Sequence, residues 1–202
     1  MMAERVQLNP DATFDCLFVA DRLQHEMHTF SPAELHLFTY LTCLLWLYRR
    51  HLLTDWGYGF VGTELGSPFS VDIDAAIKEL LRRGYFVRIQ ERLQMSSMAQ
   101  DQLQDFQMLD LNSDRVECLR AACSSTSAFS VGMVGNALSQ EPELRRARAV
   151  SVSRPLLEEA AQAQLFDQFD VLRRALLKGS SDLRVPAVVW LAALYRSAAE
   201  TK

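Results

Sequence analysis

The sequence predicts a mainly α fold: a winged-helix-like domain with a small β wing, followed by additional C-terminal helices. Residues 69–95 carry the first observation. Ile73, Ile77, Leu80 and Leu81 recur at i, i+4, i+7 and i+8, one apolar stripe of a helix. Gly84 follows where a helix end needs a left-handed backbone, and Tyr85–Ile89 then turns to strand-favouring residues, with a second strand at Leu93–Met95. The second observation is Ser31-Pro32-Ala33-Glu34, a capping box with Pro at the first helical position. The third is composition: 49% apolar and 23% charged in 202 residues is an ordinary globular mixture with enough chain for a real core.

Taken in order, Asp11 is the expected cap of a first helix carrying Phe14, Leu17 and Phe18 toward Met27. The helix from Ser31 runs to Arg49 and Arg50, whose charges suit a helix C-terminus. It is apolar on nearly every face, through Leu35, Leu37, Phe38, Leu41, Leu44, Leu45, Trp46 and Leu47. A membrane span needs about 20 apolar residues, and this run is shorter and broken by His36, Thr39 and Thr42. A central helix buried all round is the better reading. Leu37, Trp46 and Tyr48 are then the candidate surface for a partner chain, including a second copy in a homodimer.

Residues 52–70 are rich in Gly and read as a loop with one short strand around Tyr58–Val61 and room for only a minimal helix near Thr63–Leu65. The chain divides at 98/99 into a winged-helix-like region and a helical C-terminal region, with a linker near 124–142. Asn112-Ser113 is a cap candidate for a helix carrying Val116 and Leu119. A later helix is expected from Ser153, with Leu156, Phe166, Phe169, Leu172 and Leu176, ending at Gly179. The last begins near Asp182, with Val188, Val189, Ala192 and Tyr195 on its stripe.

The candidate chemistry is thin. His25 and His28 stand at i and i+3, not the i and i+4 of a zinc-protease helix, and no third ligand is evident. Gly132-Met133-Val134-Gly135 lacks the spacing and the Lys-Ser/Thr of a phosphate loop. Ser124, Ser125 and Ser127 have no nucleophile-elbow context. Glu158-Glu159 suit a helix start, and Asp170 precedes Arg174 by four residues as an ordinary helical pair. Arg145, Arg146, Arg148 and Arg154 face Glu141 and Glu143 in a mildly basic run that reads as a solvated helix face. The expectation is therefore no enzyme, no cofactor and no metal. Cys16, Cys43, Cys118 and Cys123 form no CxxC pair, and the first residues lack a signal-peptide core, which points to reduced thiols in a cytoplasmic protein without a membrane segment.

Two uses of a winged helix remain, DNA reading and protein docking. Phosphate neutralisation supplies much of a DNA binder's affinity, whereas this chain carries a net charge of −4. Off the apolar stripe of residues 71–83, Asp72, Asp74 and Glu79 balance Lys78, Arg82 and Arg83. Asp72 and Asp74 occupy the end that approaches base edges in such domains. Weak DNA backbone contact is left to Arg82, Arg83, Arg88 and Arg92.

The segments LNPDATFDCLFVADRL (8–23), SPAELHLFTYLTCLLWLYRR (31–50) and IKELLRRGYFVRI (77–89) resemble the middle components of three-gene ABC-ATPase defence systems, the Lamassu-type group. The resemblance rests on size and apolarity over less than half of the chain. It implies a non-catalytic accessory subunit bridging an SMC-like ABC ATPase and an effector nuclease in antiphage or antiplasmid defence. The alternative is a winged-helix transcription regulator.

Overall fold

The computed structural model describes residues 8–108, 113–176 and 182–200. It is mainly helical, with α1 (Pro10–Met27), α2 (Pro32–Tyr48), α3 (Val71–Arg82), α4 (Ser97–Met108), α5 (Ser113–Ser124), α6 (Val131–Leu138), α7 (Pro142–Val150), α8 (Glu159–Ala175) and α9 (Arg184–Glu200). The strands are short: β1 (Val61–Gly62), β2 (Pro68–Phe69), β3 (Phe86–Ile89), β4 (Arg92–Met95) and β5 (Arg154–Pro155).

The cap of α1 is Asn9, two residues before the expected Asp11. Its side-chain oxygen accepts from the Asp11 and Ala12 amides at 3.0 and 3.2 Å, and Pro10 takes the first helical position. In α2 the capping box forms as read: Ser31 Oγ accepts from the Glu34 amide, and Glu34 Oε2 accepts from the Ser31 amide. Replacing Ser31 with Ala is expected to cost about 1 kcal/mol of stability in urea unfolding, the usual worth of such a cap. No measurable loss there would mean that α2 is held by packing alone.

Helix α2 is the buried centre. Leu35, Phe38, Tyr40, Leu41, Cys43, Leu44, Leu45 and Leu47 are all in the core, and α1, α3, α5, α6 and α8 pack around it. Its buried Thr39, Thr42 and His36 are tolerated because each is hydrogen-bonded. Thr39 and Thr42 donate to the Leu35 and Phe38 carbonyls at 2.8 and 2.7 Å. His36 Nδ1 accepts from the Ser70 amide, and burial pushes its imidazole down to about 4, so it is neutral. No helix among the described residues is long and apolar enough to cross a membrane.

The stretch 52–70 holds no helix at Thr63–Leu65. It forms the antiparallel pair β1–β2, with Thr63–Ser67 as the turn and Gly66 at φ +74°. β5 adds to the other side of β1, pairing Arg154 with Gly62 and Pro155 with Val61. That pairing displaces the helix expected from Ser153: Pro155 serves an edge strand, where its missing N–H costs nothing, and α8 starts after Glu158. Gly62 is needed because α7 lies against β1; a Cβ there would stand 2.9 Å from the Ala147 Cβ.

Helix α3 buries Ile73, Ala76, Ile77 and Leu80, with Leu81 half-buried, so the predicted stripe holds. Gly84 adopts φ +76° and ends it. β3 and β4 pair in register, Phe86 with Met95 and Ile89 with Arg92, and the turn places Gln90 at φ +56°. Phe30, between α1 and α2, bridges to Leu93 of β4 through two backbone hydrogen bonds of 2.9 and 2.6 Å.

The region near 124–142 is not a linker. A 3-10 turn at Ser125–Ser127 leads into α6, which buries Val134, Ala137 and Leu138. Ser130 caps it, and Gly135 faces the side chain of Leu37. The core runs unbroken across 98/99, joining Leu41 and Leu44 to Leu103, Leu119 and Leu138. In α9 the inward face is Ala187, Trp190, Leu191 and Leu194, with Leu183 buried just before it, while Val189 and Tyr195 are exposed. This helix is apolar on several faces, so periodicity admitted both registers. In α8 the expected Asp170–Arg174 pair gives way to Asp170 with Arg173 and with Arg50, and Arg174 donates to the Asp170 carbonyl. The cap position Asn112 and the helix end at Gly179 lie outside the described residues.

Candidate interaction surface

The outward face of α3 and the β3–β4 hairpin form one surface, fixed in place by three ties. Arg92 donates to Thr29 Oγ1 at 2.8 Å, to the Thr29 carbonyl at 2.8 Å and to Glu34 Oε2 at 2.9 Å. Gln24 of α1 accepts from the Met95 amide at 2.6 Å. Phe30 supplies the backbone bridge to Leu93 and sets its ring edge-on to Phe86 at 5.1 Å. The hairpin is thus anchored to α1 and to the capped start of α2.

The arginines singled out from sequence have different fates. Arg82 and Arg83 both bind Glu79, at 2.5 and 2.6 Å, and hydrogen bonds from them hold its carboxyl down to about 2. Lys78 pairs with Asp74 at 2.6 Å. Such exposed pairs add little stability, but they leave the α3 face without net positive charge. Arg92 is committed to Thr29 and Glu34. Arg88 is exposed and has no ion pair among the described residues.

Strand alternation sets Val87 and Ile89 on the face opposite Phe86, and they remain 46% and 44% exposed. Among the described residues β3 pairs with β4 alone, so its other edge carries no strand. An open edge beside two exposed β-branched side chains is a receptive surface for another chain.

Leu37, Trp46 and Tyr48 are each half-covered by their own chain. Leu37 faces Gly135 of α6. Trp46 stacks on His51 at 3.9 Å and donates to the Leu52 carbonyl at 3.0 Å. Tyr48 packs edge-on against Phe169 and lies under Arg173. Leu37 also lines an open groove of about 480 Å³ between the start of α2, the β1–β2 turn and α6, with Leu65, Asn136 and Arg148 at its walls. In the basic run, Arg146 pairs with Glu143, and Arg154 reaches it at 3.8 Å. His25 and His28 close α1, His25 Nδ1 donating to the Asp21 carbonyl and His28 standing at φ +66°.

Sequence reasoning missed two buried polar clusters. Asp15 of α1 and Arg115 of α5 form a two-pronged ion pair, 2.8 Å at each contact, with Asp15 fully buried and Arg115 nearly so. Tyr58 donates to Asp15 at 2.5 Å, Arg115 donates to the Trp56 carbonyl at 2.9 Å, and its guanidinium lies 3.9 Å from the Trp56 ring. Burial, with the Asp15 charge adding to it, pushes the Tyr58 hydroxyl well above its ordinary range. Glu141, also fully buried, caps α7 beside Tyr40. The available signal was a charge amid apolar neighbours (Phe14-Asp15-Cys16-Leu17) and an acid directly before a helix-starting Pro142. All four cysteines are buried free thiols.

Comparison with family models, with curated proteins and with solved structures found no match. The fold and this surface are therefore the basis for any functional reading.

Proposed function

We propose that the chain is a non-catalytic accessory subunit, a winged-helix-like module that docks on another protein through its wing. The order α1, Phe30 bridge, α2, α3, β3–β4 supports the winged-helix reading, with α2 as the second helix and the β1–β2 pair as an insertion before α3. The observation that carries docking over DNA reading is the wing itself. Where a DNA-contacting wing needs cations against phosphate, this one turns Val87 and Ile89 outward beside an α3 face whose cations are matched by Asp74 and Glu79. The partners implied by the resemblance are an SMC-like ABC ATPase and an effector nuclease.

A tagged pull-down from the native host at moderate salt tests this reading. Recovery of a large ATPase with the unaltered chain, and its loss on Val87→Glu with Ile89→Glu, is the expected result. A lone homodimer without an ATPase sinks the adaptor reading. The second reading, a DNA-binding regulator, draws on Arg88, the wing cation without an ion pair among the described residues. Binding to promoter DNA that disappears on Arg82→Glu with Arg83→Glu would establish it instead.

A further inference from the structure

The outward face of the hairpin continues onto α4. The Ser96 amide donates to the Tyr85 carbonyl at 2.9 Å, one rung beyond the β3–β4 pairing, so Tyr85, Val87 and Ile89 share one side of the strand. The Tyr85 hydroxyl then donates to Gln102 Oε1 of α4 at 3.3 Å. In α4, Met98, Asp101, Gln102 and Asp105 recur at i, i+3, i+4 and i+7, one stripe of the helix, while Ala99 and Leu103 turn into the core. The contact at Gln102 sets that stripe beside the wing. Val87, Ile89 and Met98 are exposed apolar side chains of this one surface, and Asp101 and Asp105 are exposed at its edge.

The charge of this edge has one sign. α4 contains no Lys, Arg or His, and neither Asp101 nor Asp105 has an ion pair among the described residues. Arg92, which stands opposite Ile89, is held by Glu34 and is not free to balance them. Arg88 alternates to the Phe86 side of the strand. Solvated carboxylates alone need no explanation; here they border three exposed apolar side chains. A nucleic acid is the wrong occupant, because two carboxylates repel phosphate where a binder needs cations. A second copy meeting this chain face to face is also poorly matched, since the same face brings apolar side chains but no free cation. The complement is apolar in its middle and basic on one flank. An amphipathic helix has that form, laying its apolar stripe on a side-chain surface while its polar flank reaches the rim.

We propose, resting on the docking reading above, that this face seats an amphipathic helix of a partner protein. Its apolar stripe covers Val87, Ile89 and Met98, and Lys or Arg on its flank meets Asp101 and Asp105. The apolar contact supplies the holding energy, while the two carboxylates orient the helix and select against acidic or neutral competitors.

The test is an NMR titration of the full chain, methyl-labelled at Val, Ile and Met, with two synthetic helical peptides of the same Leu spacing, one flanked by Lys and one by Glu. The Lys-flanked peptide is expected to shift the Val87, Ile89 and Met98 methyl signals, and the Glu-flanked peptide to leave them in place. Asp101→Lys with Asp105→Lys, both at exposed positions, should weaken the first peptide about ten-fold and favour the second. Glu158→Lys with Glu159→Lys, an equal change of net charge at the exposed start of α8, should do neither. Equal binding of the two peptides, no shift at these methyls, or an equal loss with the α8 pair overturns the proposal. The pull-down separates it from the reading on which it rests. An ATPase lost with Val87→Glu and Ile89→Glu but kept with Asp101→Lys and Asp105→Lys leaves wing docking standing and removes the basic helix.

Discussion

Replacing Arg115 with Met is expected to cost about 3–5 kcal/mol. The change leaves Asp15, which is fully buried, with Tyr58 as its sole remaining side-chain donor among the described residues, and removes the donor to the Trp56 carbonyl. The cost arises from the stranded carboxylate more than from the lost attraction, because taking both charges out of water offsets most of the Coulombic gain of the intact pair. A second variant separates those terms. Asp15→Leu, Tyr58→Phe and Arg115→Met together remove the polar side chains of the cluster, leaving the Trp56 carbonyl without its Arg115 donor, and most of the stability should return. Urea unfolding of the two variants measures both effects. An Arg115→Met chain within 1 kcal/mol of the original would mean that water reaches Asp15 and that the cluster is no anchor.

The same cluster shows where the sequence was legible and where it was not. Local signals were read correctly where one element specifies itself. The capping box at Ser31–Glu34, the α3 stripe, Gly84 and the β3–β4 hairpin each depend on residues within a few positions of one another, and each formed. Asp15 and Arg115 are a hundred positions apart, and neither position gives any local hint of the other. A charge inside an apolar run says only that a partner exists somewhere.

Other failures have the same origin. Ser153-Arg154-Pro155 is a good helix start by local rules, yet β1 needed a second partner and took Arg154 and Pro155 into the sheet. The glycines at 132 and 135 suggested a linker, but both lie in α6, which buries Val134, Ala137 and Leu138. In α9 two apolar faces competed, and the positions of α5, α6 and α8, whose Phe169 meets Trp190, decided that Trp190 and Leu191 turn inward. The surface reading fared likewise. Composition gave the balanced charge of α3, while the fixing of Arg92 by Thr29 and Glu34 required the hairpin and the α2 cap to meet.

That meeting point predicts the second large effect, Phe30→Ala. Phe30 is fully buried, its ring sits edge-on to Phe86, and its backbone is the bridge to Leu93. Truncating a buried Phe costs about 3–5 kcal/mol through lost burial and the cavity left behind. Urea unfolding gives the total, and hydrogen exchange at the Leu93 amide, which donates to the Phe30 carbonyl at 2.6 Å, reports whether the wing loosens first. A loss below 1 kcal/mol would show that Arg92 and Gln24 hold the hairpin without it. The variant also probes function without altering the exposed surface. Val87 and Ile89 remain in place while their scaffold loses its anchor, so a docking partner that reads the wing should bind more weakly to a still-folded Phe30→Ala chain. Unchanged binding would place the docking surface away from the wing, toward the half-covered residues Leu37, Trp46 and Tyr48.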